Sequence, residues 1–192
     1  MPLEANGIEN LDKSKDVGVS FTKGNVFGSA SLEGYKDASN SPKPKGPSYN
    51  AASGSLGVFS EAGHSAGLTA THRPDFGNQV TAAGNLNVLN KGNHKVDVNA
   101  FTTKNFPTGP TPNYSTHGAG ANYQYKDIAN VGASVARIPI AQRTNYSIST
   151  GLKLHQTPTS SLSANIGASK IDAPYSKGNW SQNAFFHYQK KF

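Results

Sequence analysis

The feature that most constrains the fold of this chain is an internal duplication. Two segments repeat one pattern of apolar and small residues, and they align at an offset of 66 residues. The corresponding positions are Leu86 and Leu152, Val88 and Leu154, Val96 and Leu162, Val98 and Ala164, Ala100 and Ile166, and Lys104 and Lys170. A repeat of this kind predicts one structural unit that occurs twice, and it therefore decides the architecture.

Apolar residues alternate with Ser, Thr, Asn, Gly, Lys and Asp through both copies and beyond them, as at Tyr146, Ile148, Leu152 and Leu154. Successive side chains of a β-strand point to opposite faces, so a period of two predicts half-buried strands. The segments between these runs are rich in Gly, Pro and Asn, which is typical of turns. We therefore predict an all-β chain with almost no helix, built as an antiparallel meander of about 10–12 strands.

A meander of this size is expected to curl into a β-barrel or to split into two packed sheets, because a long open sheet leaves sticky edges. We predict a barrel with its apolar face inward, where Ala and Gly suit a tightly curved wall. Five aromatic residues of the apolar face are then expected in the core: Tyr123, Tyr125, Tyr146, Phe186 and Tyr188. An outer-membrane barrel shows the same alternation with its apolar face toward lipid, and it commonly ends in a residue like Phe192. The many Ala residues, and no evident aromatic girdle, favour the inward arrangement.

The composition limits the core that such a barrel can hold. Only 35% of the residues are hydrophobic, and many of these are Ala. Burying one methyl group contributes about 0.8 kcal/mol, whereas ordering the backbone of one residue costs about 1–2 kcal/mol. A marginal core favours folding that depends on a partner or a surface.

Four segments follow from these patterns. Residues 1–16 have no period and are predicted to be a flexible lead-in, and residues 17–59 form an N-terminal segment with a Pro-rich loop at Asn40–Pro47. Residues 60–118 and 119–192 are the first and second glycine-rich units. We expect the last three segments to form one barrel.

The net charge of +7 is unevenly placed along the chain. Residues 111–192 contain eight basic and two acidic residues, so six of the seven excess positive charges lie there. This excess indicates an anionic partner, although solubility alone is the other interpretation of the charge. The candidate binding residues, expected on the polar face or at strand ends, are Arg137, Arg143, Lys153, Lys170, Lys177, Lys190 and Lys191.

No sequence pattern indicates an enzyme, a metal site or a cofactor. The chain contains no Cys, and its six His residues lack the spacing of metal ligands: His64, His72, His94, His117, His155 and His187. G-x-S-x-G, the P-loop and G-x-G-x-x-G do not occur. Nucleic-acid binding needs exposed aromatics interleaved with Lys and Arg, whereas the aromatics here share the apolar face. We predict no catalytic residue, metal, cofactor or nucleic-acid partner.

Several short motifs occur together over residues 60–192. They are Leu68–Gln79, His94–Pro107, Pro112–Tyr114, Gly118–Tyr123, Val131–Ser134, Asn145–Ser147, Gly151–Leu154 and Ser160–Pro174, which continues to Trp180 and the terminal Phe192. As a set they resemble the attacins, glycine-rich antibacterial proteins of insect haemolymph that have an N-terminal segment followed by two G domains. Residues 1–59 match this family less well.

The resemblance implies a secreted, non-enzymatic protein of haemolymph that acts on Gram-negative bacteria, binds lipopolysaccharide and perturbs the outer membrane. The basic residues named above are then expected to capture lipopolysaccharide phosphates. Single exposed ion pairs are weak and salt-screened, so this capture has to be multivalent. Two alternatives stay open. Ala184–Phe192 could mimic the end of a nascent outer-membrane protein and inhibit its assembly, or the chain could itself be a small outer-membrane β-barrel.

Overall fold

The computed structural model describes residues 3–37, 48–157 and 160–190. Strands make up 78% of the described residues, which contain no α-helix. This confirms the predicted all-β class. The Pro-rich loop at Asn40–Pro47, Lys191 and the terminal Phe192 lie outside the described residues.

The strands follow one another as an antiparallel meander, as predicted, and neighbours in the chain are neighbours in the sheet from β1 to β12. The strands are β1 (Leu3–Glu9), β2 (Lys15–Lys23), β3 (Val26–Tyr35), β4 (Ala51–Phe59), β5 (Ser65–Arg73), β6 (Gly77–Lys91), β7 (His94–Pro107), β8 (Tyr114–Tyr125), β9 (Ala129–Ile138), β10 (Arg143–Gln156), β11 (Ser160–Ala173), β12 (Ser176–Lys177) and β13 (Ser181–Lys190). Strand β13 pairs with β11, and a short 3₁₀ turn at Pro139–Ala141 precedes β10. Hydrogen bonds between the described strands do not close the sheet, so the barrel stays a prediction.

The first strand corrects the flexible lead-in predicted for residues 1–16. Leu3–Glu9 form β1, and Leu3, Ala5 and Gly7 lie opposite Phe21, Val19 and Val17 of β2. The alternation of β1 is too short and too rich in small residues to stand out in the sequence. Pairing with the neighbouring strand supplies the order that the local pattern does not.

Two-residue turns set the register of two hairpins. Lys-Gly-Asn occurs at both, with Gly24 at φ 56° between β2 and β3 and Gly92 at φ 61° between β6 and β7. Glycine is suited to this left-handed conformation, because a Cβ atom there is sterically disfavoured. Both hairpins confirm the turns predicted for Gly- and Asn-containing segments between the alternating runs.

The chain forms two compact units, which are described separately. Unit 1 contains Met1–Gly84 and Thr103–Tyr114, and unit 2 contains Asn85–Thr102 and Ser115–Phe192. The 66-residue duplication is visible in the strands, since β7 and β11 both have 14 residues and begin 66 residues apart. The sequence division into residues 60–118 and 119–192 stays a prediction.

Unit 1 exposes the residues that were expected in a core. Leu56 of β4 lies opposite Leu68 of β5, and each is 58% exposed. The other face carries pairs of serine hydroxyls, and the Oγ atoms of Ser29 and Ser55 are 2.7 Å apart. The ring of Phe27 also covers Gly57 on that face, where a Cβ atom would collide with it.

Unit 2 shows the same arrangement, which shows that the prediction of an inward apolar face is wrong. Ile148 is 49% exposed, Ile166 54% and Phe186 73%. Of the core predicted from the aromatic residues, Tyr123, Tyr146, Phe186 and Tyr188 are all exposed. The opposite face pairs polar side chains, as between the hydroxyls of Ser134 and Ser147 at 2.7 Å.

The size of the side chains explains the inversion. The polar face of unit 2 brings Gly, Ser and Asn close together, and a Cβ added at Gly118 would meet the Phe101 ring and lie 2.9 Å from the Val135 carbonyl oxygen. Hydroxyl and amide groups form hydrogen bonds with one another on this crowded face. Among the described residues, Ala51 is the sole buried hydrophobic side chain, while Ser14, Asp97 and Asn105 are buried polar ones.

Candidate functional site

Four of the predicted binding residues lie at one end of strands β9–β12 in unit 2. Arg137 is near the end of β9, Arg143 begins β10, Lys170 is near the end of β11, and Lys177 lies in β12. Antiparallel pairing brings these ends together. We call these four residues the near basic rim.

The strand register places most of this rim on one face. Arg137 lies opposite Thr144, Thr144 lies opposite Asp172, and Asp172 lies opposite Lys177. Residues that oppose each other across antiparallel strands project to the same face. Arg137 and Val135 are two residues apart in β9 and therefore project to the same face. The row that contains Arg137 thus borders the apolar residues of that face.

Lys170 also lies on this border, one row closer to the apolar residues. It is opposite Tyr146 of β10, which is itself opposite Val135 of β9. Lys170 is therefore on the apolar face, where the sequence analysis expected the polar face or a strand end. A long Lys side chain can lie along apolar surface while its ammonium group reaches a polar border.

One carboxylate partly neutralises the near basic rim. The Lys170 ammonium is 3.1 Å from Oδ2 of Asp172, and both side chains are about a quarter to a third exposed, at 26% and 30%. Oδ1 of Asp172 accepts no hydrogen bond from the described residues. Arg143 Nε donates to Asn145 Oδ1 at 3.0 Å, which fixes that guanidinium at the start of β10.

Two more predicted residues, Lys153 of β10 and Lys190 of β13, lie at the opposite end of the strands of unit 2. The backbone N–H of Lys153 donates to the Ile128 carbonyl at 2.7 Å, and Lys190 lies opposite Ser160. Lys126 joins them, with its ammonium 5.8 Å from the centre of the Tyr125 ring, although the sequence analysis omitted it from the binding set. The position of Lys126 in the turn after β8 was the signal that could have identified it. We call Lys126, Lys153 and Lys190 the far basic rim.

Exposed apolar side chains fill the space between the two rims. The rows across unit 2, which include the polar residues Thr150 and Gln182, are Ala119, Val135 and Tyr146; Ala121, Ala133, Ile148, Ala168 and Gln182; Tyr123, Val131, Thr150, Ile166 and Ala184; and Tyr125, Ala129, Leu152, Ala164 and Phe186. We call these rows the apolar face of unit 2. Aromatic residues concentrate at its two borders, which differs from the expectation that no girdle is present.

The near border of this face contains a groove that the sequence analysis missed. It has a volume of about 490 Å³, and Val135, Tyr146, Ile148 and Trp180 are among its lining residues. Trp180, the single tryptophan of the chain, is 46% exposed there. No periodic signal marks Trp180, because it lies just before β13 rather than within a strand.

The polar face of unit 2 presents neutral amides with few charges. A cleft of about 250 Å³ is lined by Gln124, Asn130 and Asn165, together with Asp127 and Lys153. A second polar cluster lies on the hairpin of β6 and β7, where Asp97 accepts a 2.9 Å hydrogen bond from Asn87 and pairs with Lys95 at 3.2 Å. Asp97 is 8% exposed, so these contacts satisfy a buried carboxylate.

Among the described residues, no group of three or more His, Asp or Glu side chains is placed to hold a metal ion. No helix within the described ranges has the length and apolar character needed to cross a membrane.

The strand arrangement is shared with bacterial porins. The anion-selective porin from Comamonas acidovorans superposes with a TM-score of 0.55 at 13% identity, covering 90% of this chain and 59% of the porin. The NanC porin gives a TM-score of 0.50 at 9% identity, covering 99% of this chain and 97% of that protein. At these identities the likeness concerns the fold alone. The fold therefore defines a porin-like β-meander.

The sequence comparisons identify the family. The family model for the attacin C-terminal region matches residues 74–192. Attacin-B of Hyalophora cecropia is 41% identical over 143 residues, 74% of this chain and 61% of that protein, and Attacin of Bombyx mori is 34% identical over 145 residues, 74% of this chain and 68% of that protein. The chain belongs to the attacin family. It spans about three fifths of the length of the first of these relatives.

Proposed function

We propose that this chain is a secreted, non-enzymatic antibacterial defence protein that acts on Gram-negative bacteria by binding lipopolysaccharide in the outer membrane. Membership of the attacin family and a 39% identical relative named Defense protein 3 of Lonomia obliqua support the defence role. The near basic rim carries the proposal of the ligand, because its four cations are gathered at one end of adjacent strands. Its partner in this proposal is the phosphate groups of lipopolysaccharide.

The clustering matters because each exposed cation–phosphate pair is weak. Surface ion pairs contribute about 0–1 kcal/mol each and are screened by salt. Several cations on neighbouring strands bind one anionic surface together, so their contributions combine without a separate association step. The far basic rim adds three cations, Lys126, Lys153 and Lys190, at the opposite end of the strands of unit 2.

The test is charge reversal with a matched control. The double variant R137E/K177E changes two exposed residues of the near basic rim, and K23E/R73E makes the same change in net charge at exposed residues of unit 1. We expect the first variant to lose binding to lipopolysaccharide vesicles and the second to keep most of it. Equal loss in both variants, or binding that does not depend on salt, contradicts the proposal.

A second candidate function concerns β13. This strand has ten residues, all exposed, and it pairs with β11 along one edge. An exposed strand with a free edge can add to a sheet of another protein. Deletion of Lys190–Phe192 separates the two candidates: lost antibacterial activity with unchanged lipopolysaccharide binding favours inhibition of outer-membrane protein assembly.

A further inference from the structure

We infer that the apolar face of unit 2 contacts the hydrocarbon of a lipopolysaccharide-containing membrane, with the two basic rims at its polar boundaries. The inference rests on the proposed function, because lipopolysaccharide binding brings the unit to the membrane. It goes further by naming which side chains meet lipid and which do not. Tyr146, Ile148 and Leu152 of β10 face lipid, whereas Ser147 and Ser149 face away.

Large apolar side chains are exposed together on this face. Ile148, Leu152, Val131, Val135 and Ile166 are each at least 38% exposed, and they lie on three adjacent strands. Soluble monomers rarely expose an extended apolar patch, since burying such surface contributes about 25 cal/mol per Å². This extended apolar face is therefore expected to be covered by another molecule, whereas isolated exposed apolar residues would not require one.

The height of the apolar face is close to that of a membrane's apolar layer. Along β9, Val135 in the row at the near rim and Ala129 in the row at the far rim are six residue positions apart. At about 3.3 Å per residue, this corresponds to about 20 Å. The apolar band of an outer-membrane barrel is about 25 Å tall and has aromatic residues at both interfaces. Tyr146 and Trp180 lie at the near border, and Tyr123, Tyr125 and Phe186 lie toward the far border.

The charges at both borders of this face disfavour a second copy of the chain as its cover. The apolar face ends in cations on both sides, Arg137, Lys170 and Lys177 at one and Lys126 and Lys190 at the other. A copy stacked face to face would bring like charges together in either orientation, which is unfavourable. Anionic head groups at both levels instead complement both rims.

The opposite face is suited to remain away from lipid. Its hydroxyl and amide groups pair with one another, as Ser134 does with Ser147. Moving such groups into hydrocarbon costs several kcal/mol for each group that loses its partner. The alternation along β10 therefore predicts alternating lipid contact, with a period of two.

The experiment uses the lack of cysteine in the full chain. Single Cys residues at Ile148, Leu152, Ser147 and Ser149 are labelled with a polarity-sensitive fluorophore, and circular dichroism checks that each labelled protein keeps its β content. Each protein is added to vesicles of phosphatidylethanolamine, phosphatidylglycerol and lipopolysaccharide, with and without nitroxide-labelled acyl chains. Trp180 of the unlabelled protein provides a second, native reporter at the near border.

We expect a several-fold rise in emission, a shift to shorter wavelength and nitroxide quenching at Ile148→Cys and Leu152→Cys, with little change at the two serine positions. Quenching at the serines instead, or at none of the four sites while the protein sediments with the vesicles, overturns the inference and leaves lipopolysaccharide binding intact. A shift at Ile148→Cys in buffer alone, unaffected by nitroxide lipid, shows that a second copy covers the face and also overturns it. Failure to sediment with the vesicles contradicts the proposed function itself.

Discussion

The ammonium group of Lys170 lies 3.1 Å from the carboxylate of Asp172, two residues further along β11. Asp172 also lies opposite Lys177, so one acidic residue contacts or faces two cations of the near basic rim. This carboxylate reduces the charge that the rim presents to an anionic partner.

Asp172→Asn is expected to strengthen binding to lipopolysaccharide vesicles. Removing one negative charge leaves Lys170 and Lys177 without their carboxylate, and a charge near an anionic membrane surface contributes about 1 kcal/mol, or about fivefold in affinity. Sedimentation with vesicles at two salt concentrations measures the gain. Asp75→Asn, at an exposed residue of unit 1, changes the net charge equally and should have a smaller effect.

Ile148→Ser distinguishes an exposed apolar face from a core. Because Ile148 is 49% exposed, about half of the residue is shielded from water, and its replacement should lower the free energy of unfolding in buffer by roughly 1 kcal/mol. A buried Ile would instead cost roughly 2–5 kcal/mol on truncation. Urea denaturation gives the free energy, and a loss in the larger range would restore the inward arrangement. Vesicle affinity of the same variant should fall.

Asp97→Ala is expected to destabilise unit 2 by roughly 1–3 kcal/mol. The change removes the acceptor of the Asn87 amide and the partner of the Lys95 ammonium at a site that is 8% exposed. Urea denaturation measures the effect. In the double variant D97A/N87A the Asn87 amide is also removed, so the two losses should be less than additive; strict additivity would show that the two side chains do not interact.

Two Gly→Ala substitutions should have opposite signs. At Gly118 the new Cβ would collide with the Phe101 ring and lie 2.9 Å from the Val135 carbonyl oxygen, whereas at Gly54 its closest neighbour is the Ser29 carbonyl oxygen at 3.8 Å. Gly54→Ala is expected to stabilise by about 0.5–1 kcal/mol, since Ala loses less backbone entropy on folding. Gly118→Ala should destabilise by about 1–3 kcal/mol because of overpacking. Thermal unfolding of the two variants compares them directly, and equal effects would contradict the crowding on the polar face.

The turn between β1 and β2 should lose stability in strong acid. Hydrogen bonds from Ser14 and Lys36 lower the pKa of Asp12 from 3.8 to about 2. A lowered pKa means that the folded state favours the carboxylate, so the stabilisation is present above pH 3.8 and disappears as the pH falls toward 2. An NMR titration of the Asp12 carboxyl carbon checks this, with Asp12→Asn as the pH-independent control. A midpoint near 3.8 would show that the contacts do not persist in solution.

The sequence predicted the meander well because its signals are local. Alternation at residues such as Tyr146 and Ile148 specifies a strand, and Lys-Gly-Asn specifies a tight turn, whatever lies around them. The basic residues were chosen from charge density, which needs no coordinates, and their role in binding stays a prediction. The register was required to show that Arg137 and Lys170 meet on one border while Lys153 lies at the other end.

The direction of the apolar face could not be obtained in this way. A period of two shows that Ile148 and Ser147 project to opposite faces of the sheet. It does not show which of the two faces is exposed. The choice depends on volume, because Gly118 and Ser134 tolerate crowding that Leu and Tyr do not. Strand β1 was missed for a related reason, since its order comes from pairing with β2 rather than from its own seven residues.

Strand β13 is paired with β11 along one edge, and across the described ranges its other edge has no ladder. In water this edge is solvated, but in hydrocarbon each unpaired N–H or C=O would cost several kcal/mol. Entry into a membrane is thus coupled to capping of this edge by another strand. If that strand comes from another molecule, the rate of entry should rise more steeply than linearly with protein concentration.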